Sequence, residues 1–129
     1  MSAGVSALAD RFFAAVSHGD LAELEALYSP DVTVWHNYDD VEQSRAESLR
    51  LLSWLAAKAG PLHYVDVRRT VLDDGFVQQH VVELGGRCEG IRMPAMLRVF
   101  CDDRHIRRIE EYVDPSPLNV RLAATAAPR

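Results

Sequence analysis

The sequence predicts an α+β fold in which helices cover one face of a curved antiparallel sheet. Apolar residues recur at helical spacing before Gly60-Pro61, whereas strand-forming runs separated by short turns follow that point. The two patterns occupy separate halves of the chain, which is typical of α+β domains. Because a concave sheet closed by helices encloses a pocket, the fold also predicts a cavity for a small molecule.

The first half of the chain predicts three N-terminal helices and one short strand. The first helix begins near Val5 and ends at Gly19, a residue that stops helices. Capping-box pairs of polar residues, Asp20–Glu23 and Ser44–Glu47, begin the second and third helices. The β-forming residues Val32–Trp35 predict a strand between these two helices.

The second half of the chain predicts four long strands. Turns rich in glycine and aspartate separate them, so consecutive strands are expected to pair as an antiparallel meander. Residues 118–129 are rich in alanine and are expected to form a loose tail, which leaves a single domain at 1–117. The predicted strands are Leu62–Leu72, Phe76–Leu84, Ile91–Phe100 and His105–Val113.

Composition excludes several classes of partner. A net charge of -5 with scattered arginines provides no basic surface for nucleic acid. The sequence contains no apolar run long enough to cross a bilayer, so no membrane partner and a cytoplasmic location are expected. Cys88 and Cys101 are expected to be free thiols in a reducing compartment, because an extended strand separates them.

The order of elements and several short motifs are shared with a known superfamily. The order helix, helix, short strand, helix and four-strand meander extends over about residues 5–117, and the motifs include Gly19–Leu21, Leu27–Tyr28, Asp31–Val34 and Glu111–Tyr112. In these respects the chain resembles the nuclear-transport-factor-2-like superfamily, which contains SnoaL-like proteins, ketosteroid isomerases and limonene epoxide hydrolases. The resemblance implies a cone-shaped fold around an apolar cavity and a homodimer formed through the sheet.

The ketosteroid-isomerase pattern is altered at each of its key positions. By this resemblance the general base falls at His36, and the two oxyanion donors fall at Phe12 and Met96. Neither Phe12 nor Met96 can donate a hydrogen bond, and the loss of one such donor typically costs about a hundredfold in rate. Steroid isomerisation is therefore not expected.

The limonene-epoxide-hydrolase pattern is altered as well. That branch uses two carboxylates and an arginine, and one of the carboxylates falls at Glu111. The arginine and the second acid would lie on Val77–Val82, where this chain has Gln78, Gln79 and His80. Epoxide hydrolysis is kept as an alternative function.

Three side chains are the candidate catalytic groups: His36, His80 and Glu111. Side chains alternate between the faces of a strand, so His36 should share a face with Val34, and His80 with Gln78. If these faces line the cavity, two imidazoles and a carboxylate converge there. Histidine titrates near neutral pH, so His36 and His80 are expected to remove and return a proton, with Glu111 orienting or relaying it.

Other side chains are expected to form the wall of the cavity and contact the substrate. No Gly-rich phosphate loop and no histidine pair at helical spacing occurs in the sequence, so neither a cofactor nor a metal is expected. The expected substrate-binding residues are Phe12, Trp35, Tyr38, Leu55, Gln78, Met96 and Arg98.

These residues predict an acid–base enzyme, either an isomerase, a dehydratase or a cyclase, that acts on an apolar ring-containing compound. The alternatives are an epoxide hydrolase and a non-catalytic module for small-molecule binding or dimerisation. The enzyme hypothesis requires His36, His80 and Glu111 to converge in an open cavity. The non-catalytic hypothesis instead requires a small or plugged cavity and an apolar outer face of the sheet.

Overall fold

The computed structural model describes residues 2–126, in which helices pack on a curved, mixed sheet that does not close into a barrel. The order of elements follows the prediction, with a two-residue strand and a C-terminal helix in addition. The helices are α1 (Ser2–His18), α2 (Leu21–Leu27), α3 (Arg45–Ala59) and α4 (Ser116–Ala126). The strands are β1 (Tyr28–His36), β2 (Glu42–Gln43), β3 (Leu62–Leu72), β4 (Gly75–Leu84), β5 (Arg92–Cys101) and β6 (Ile106–Val113).

The sheet has the strand order β2-β1-β6-β5-β4-β3. The last four strands form the predicted antiparallel meander, and β1 then pairs with β6 in parallel. This one parallel pair makes the sheet mixed and joins the N-terminal part of the chain to its last strand. The predicted cone-shaped α+β fold is confirmed.

Helix starts follow the predicted capping residues. At α3 the capping box is complete, because Ser44 Oγ accepts from the Glu47 amide and Glu47 Oε1 accepts from the Ser44 amide. At α2 only the first half is present, since Asp20 accepts from the Glu23 amide while the Glu23 carboxylate pairs with Arg11.

A bulge in β3 contributes to the bend of the sheet. The pairing of β3 with β4 shifts register between Val65 and Arg68, and Asp66 in this gap has a left-handed φ of 54°. Extra residues on one strand increase local twist and bend it away from a flat sheet. The start of β3 lies against α1, where the Ser17 hydroxyl donates to the Leu62 carbonyl.

The core lies between the helices and the concave face of the sheet. One buried cluster is centred on α1, α2 and the middle of the sheet, and a second lies at the end near α4. Inward positions on β4 are almost fully buried, with Phe76 at 0%, Gln78 at 1% and His80 at 3% exposure. The predicted alternation of faces on β4 is therefore confirmed.

The C-terminal segment differs from the prediction of a loose tail. It forms α4, which begins at Ser116 and continues to Ala126. At its start the Ser116 amide donates to the Asp114 carboxylate. Leu118 and Leu122 lie four residues apart on one side of α4 and pack against the second cluster. Residues 127–129 of the expected tail lie outside the described residues. Within the described chain, none of the helices is long and apolar enough to span a bilayer.

Candidate active site

A small cavity lies between α3 and the concave face of the sheet. Its volume is about 50 Å³. Its apolar wall consists of Phe12, Val34, Leu51, Leu52, Leu97 and Ile109. Its polar groups are Tyr28, His36, Ser48 and Glu111.

His36 and Glu111, two of the three candidate catalytic groups, meet in this cavity. They are register partners in the parallel β1–β6 pair, and His36 Nε2 lies 3.2 Å from Glu111 Oε1. His36 is 7% exposed, and its second ring nitrogen, Nδ1, is buried without a hydrogen-bond partner among residues 2–126. The site therefore holds a histidine that is oriented at one nitrogen and unpartnered at the other.

Asn37 fastens the loop after β1 to the strand that carries Glu111. Its amide donates to the Glu111 carbonyl over 3.0 Å, and its side-chain Oδ1 accepts from the Val113 amide at 2.9 Å. The Asp40 amide closes the following turn on the His36 carbonyl. Asn37 is not among the site residues predicted from the sequence. The available signal was that asparagine commonly bonds backbone groups at the ends of elements.

Two tyrosines border the histidine–carboxylate pair. The Tyr28 hydroxyl lies 3.0 Å from Ser48 Oγ, and burial raises the pKa of Tyr28 to about 12. The Tyr38 ring lies 5.0 Å from the His36 ring, and burial, followed by the charge of Glu111, raises the pKa of Tyr38 to about 12. Both phenols therefore keep their protons at neutral pH and are potential donors. Tyr28 and Ser48 were not predicted as site residues.

His80 is buried on the same face but does not join His36 and Glu111. Its Nδ1 lies 3.0 Å from Gln78 Nε2, and its ring packs edge-on against Phe13 and Tyr64. Burial lowers the pKa of His80, and the charge of Glu111 partly opposes that shift. The expected convergence of three groups is therefore realised for two, because β5 lies between the strands that carry His80 and Glu111.

The expected cavity positions on β5 are wrong. Met96 is 38% exposed on the outer face, and Arg98 lies on that face with its guanidinium 2.5 Å from Asp74. The inward residues of β5 are instead the alternate set that contains Ala95 and Leu97. A shift of one residue moves every side chain of a strand to the other face, which is why the error affects the whole set.

Four further predicted contacts have different outcomes. Phe12 lines the cavity as expected. Trp35 lies on the outer face, where its Nε1 donates to Asp40, and Leu55 packs at the edge of the second cluster. Gln78 is buried in hydrogen bonds to Arg69 and His80 instead of facing the cavity.

The described side chains contain no group of three or more His, Cys, Asp or Glu placed to hold a metal ion.

The fold and the site together define a class: cone-shaped α+β domains that hold polar side chains in an apolar cavity under the helices. The profile of the SnoaL-like domain family matches residues 9–109, and the chain belongs to this family. A search of curated protein sequences finds no match.

Solved structures share the same fold. A candidate SnoaL-like polyketide cyclase from Shewanella putrefaciens has a TM-score of 0.78 at 14% identity, with 93% of this chain and 86% of that chain covered. AclR, a candidate hydroxylase from Streptomyces galilaeus, has a TM-score of 0.77 at 21% identity, with 96% and 98% covered. IdmH, a candidate polyketide cyclase from Streptomyces antibioticus, has a TM-score of 0.76 at 16% identity, with 92% and 98% covered. These likenesses show that the fold is shared, and the match to the SnoaL-like family confirms the predicted superfamily.

Proposed function

We propose that the protein is an acid–base enzyme that acts on an apolar, ring-containing small molecule, with His36 as the group that removes and returns a proton. The observation that carries this proposal is the His36–Glu111 pair in the cavity, 3.2 Å apart, with His36 Nδ1 buried and unpartnered within the described chain. Base-catalysed isomerisation, dehydration and cyclisation each begin with the removal of a proton by such a group.

The hydrogen bond to Glu111 determines which nitrogen of His36 is free to react. An ionised carboxylate only accepts hydrogen bonds, so a neutral His36 donates through Nε2 and keeps a lone pair on Nδ1. A base oriented by a second group in this way is a recurring arrangement in enzymes. When Nδ1 takes a proton, the Glu111 charge stabilises the imidazolium that forms.

The substrate must enter by displacing part of the wall. A cavity of about 50 Å³ is below the range of about 300–1,000 Å³ that is typical of ligand pockets. The wall contributed by α3 is the weakest part, because only Ser48 and Ala59 of this helix are buried and Trp54 is 46% exposed. An element with few buried contacts opens at low cost, so we infer that α3 moves outward to admit the ligand.

The relatives support the substrate class without defining it. Two of the three structures described above are named as candidate polyketide cyclases, and that name describes those proteins. The six apolar side chains around His36 and Glu111 suit a largely apolar ligand. The neutral Tyr28 and Tyr38 hydroxyls are suited to bind its oxygen atoms.

Proton–deuterium exchange on a simple probe tests this function. Cyclohexanone is an apolar ring whose carbon-bound protons next to the carbonyl exchange with D₂O when a base removes them. We expect the wild-type protein to accelerate deuterium incorporation, measured by mass spectrometry. His36→Gln should slow it by about a hundredfold or more, the usual contribution of a general base.

The matched control is His63→Gln, because His63 is an exposed histidine on β3. This control should exchange cyclohexanone at the wild-type rate, and Glu111→Gln should fall between it and His36→Gln. Thermal unfolding of each variant separates loss of chemistry from loss of fold. Equal rates for wild type and His36→Gln, or no acceleration by wild type, would reject the proposed function.

The small cavity also favours one alternative, a non-catalytic binding module. Cyclohexanone would then bind, as judged by chemical shift changes of cavity residues, without any enzyme-dependent exchange. Epoxide hydrolysis by two carboxylates has less support, because Glu111 is the one carboxylate among the residues that line the cavity.

A further inference from the structure

A chain of hydrogen-bonded side chains crosses the concave side of β3 and β4, next to the cavity. Arg69 Nε donates to Gln78 Oε1 over 2.8 Å, and Gln78 Nε2 lies 3.0 Å from His80 Nδ1. Arg69 Nη1 anchors the chain on α1, where it donates to the carbonyl and hydroxyl of Ser6 and to the Asp10 carboxylate. None of these linked side chains takes part in the proton transfer proposed for His36 and Glu111.

The three linked groups fix the position of the proton on His80. A guanidinium has only donors, so the Gln78 atom that faces Arg69 must be the amide oxygen. The amide nitrogen of Gln78 then faces His80 and donates to Nδ1. An imidazole that accepts at Nδ1 is neutral and carries its proton on Nε2.

That Nε2–H group is a buried donor with no hydrogen-bond partner among the residues that the structure describes. The rings of Phe13 and Tyr64 pack against the imidazole with centroids 5.5 and 4.7 Å away, and aromatic faces are only weak acceptors. Buried donors without a partner are rare in folded proteins. An acceptor other than the described residues would satisfy this donor.

We propose that Arg69 and Gln78 are positioning residues that hold His80 as a neutral imidazole, and that its Nε2–H donates to a carbonyl oxygen of the ligand. The inference rests on the proposed function, because it concerns a ligand of the same site. It replaces the expected role of His80 as a base. The substrate class becomes an apolar ring compound whose reacting carbon is next to a carbonyl group.

The strand register makes a shared ligand feasible. Gln78 pairs with Leu97 on β5, and Leu97 pairs with Glu111 on β6. A single strand, β5, therefore separates the strand that carries Gln78 and His80 from the strand that carries Glu111. Leu97 lines the cavity, and the residue opposite His80 on β5 is Ala95, whose side chain is a single methyl group. A ligand whose reacting carbon lies at His36 and whose carbonyl oxygen lies at His80 therefore occupies the space above Leu97.

The two histidines then have complementary roles. His36 Nδ1 takes the proton from the carbon, and the electron pair of the broken C–H bond moves onto the carbonyl oxygen. That oxygen gains negative charge and keeps the hydrogen bond from His80, which does not lose its proton. Returning the proton from His36 to a carbon completes the reaction with no other reactant. Loss of such a donor typically lowers the rate by about a hundredfold or more.

The charged groups around His80 are compatible with a neutral ring that carries its proton on Nε2. Arg69 faces Gln78 from β3, Asp10 neutralises Arg69 from α1, and Glu111 acts from β6. Burial lowers the pKa of His80 more strongly than the Glu111 charge raises it, which agrees with a neutral ring.

Nuclear magnetic resonance of the full ¹⁵N-labelled chain tests the tautomer directly, without a substrate. Long-range ¹H–¹⁵N spectra distinguish the two ring nitrogens, and we expect the His80 proton to lie on Nε2 at neutral pH. Gln78→Glu replaces the donor to Nδ1 with an acceptor and should place a proton on Nδ1, whereas Gln78→Met should not. A wild-type His80 with its proton on Nδ1, or with both nitrogens protonated at neutral pH, would overturn the proposal.

A matched pair of probes tests the ligand contact. Cyclohexanone should shift the His80 Nε2–H resonance as it is added, whereas methylcyclohexane, which has a similar ring and no acceptor, should not. An unchanged resonance up to the solubility limit of the ketone would overturn the donor role.

The deuterium-exchange assay separates this inference from the proposed function. His80→Phe should slow exchange of cyclohexanone by about a hundredfold, and Arg69→Met and Gln78→Met should slow it by less while changing the His80 spectrum. If wild type exchanges the probe and His80→Phe matches it, the inference fails and the proposed function stands. If no exchange occurs but the ketone shifts His80, the proposed function fails and the donor assignment stands.

Discussion

His80 shows how one buried residue connects pH with stability. Its pKa is lowered in the folded protein because burial disfavours the charged ring. The unfolded chain, with a pKa near 6.5, then binds more protons than the folded chain as the pH falls below that value. The contribution that the neutral His80 ring makes to the free energy of unfolding is complete above about pH 6.5, and it is lost as the pH falls through the folded pKa.

His80→Gln should therefore flatten part of the pH dependence of stability. We expect the free energy of unfolding, measured with urea between about pH 5 and 7.5, to fall less steeply in the variant than in wild type below pH 6.5. His105→Gln changes an exposed histidine and should keep the wild-type slope. Identical slopes for His80→Gln and wild type would show that His80 protonates equally in both states.

The His36–Glu111 pair was predictable as residue types but not as a contact. Alternation along β1 indicates that His36 shares the inward face with Val34, and both are buried. The family resemblance selects Glu111, because residue type alone does not distinguish it from its neighbour Glu110. The β1–β6 register resolves this choice, because it places Glu110 opposite Trp35 on the outer face and Glu111 opposite His36.

At the scale of elements, the turn between β3 and β4 depends on a glycine. Gly75 has φ of 147°, and a Cβ added there would lie 1.9 Å from the Val99 carbonyl oxygen on β5. Two strands would have to separate to accept it. Gly75→Ala should therefore lower the free energy of unfolding by about 3 kcal/mol or more, at the upper end of ordinary substitutions.

Gly90→Ala, in the connection between β4 and β5, is the matched comparison for Gly75→Ala. Gly90 also has a positive φ, of 91°, but a Cβ there would have no neighbour within 4 Å. Only the backbone conformation is then unfavourable, at about 1–2 kcal/mol. Equal losses for the two variants in urea unfolding would contradict the assigned clash with Val99.

Most elements were predictable because their signals are local. The capping box at Ser44 and Glu47 lies within one helical turn and forms as expected. The C-terminal helix was missed, because its apolar residues Leu118 and Leu122 favour a helix only when the second cluster covers them. Propensity alone does not stabilise such a short helix in water.

For the whole molecule, assembly as a homodimer through the sheet stays a prediction from the family resemblance. The outer face carries Met96 and Tyr112 as register partners, with 38% and 46% exposure, and the Trp35 ring packs 5.3 Å from Tyr112. Exposed apolar side chains that adjoin one another are a common feature of interfaces between copies.

Charges on this face should disrupt the expected dimer. Sedimentation velocity should show wild type as a dimer and the double variant Met96→Asp, Tyr112→Asp as a monomer, because each buried carboxylate would be unpaired. Val120→Asp is the control, since Val120 is 70% exposed and belongs to α4, not to the outer face of the sheet. A monomeric wild type, or a double variant that stays dimeric, would reject this interface.

By itself the sequence determined the α+β class, the boundaries of most helices and strands, and the inward faces of β1 and β4, because these depend on spacing and capping within a few residues. Tertiary structure decided the β1–β6 pairing that joins His36 to Glu111, the separation of His80 by β5, the inward face of β5 and the small volume of the cavity. These properties arise from pairing and packing between distant segments. A change of one residue in register, or of one side chain in the wall, alters them without altering any local pattern.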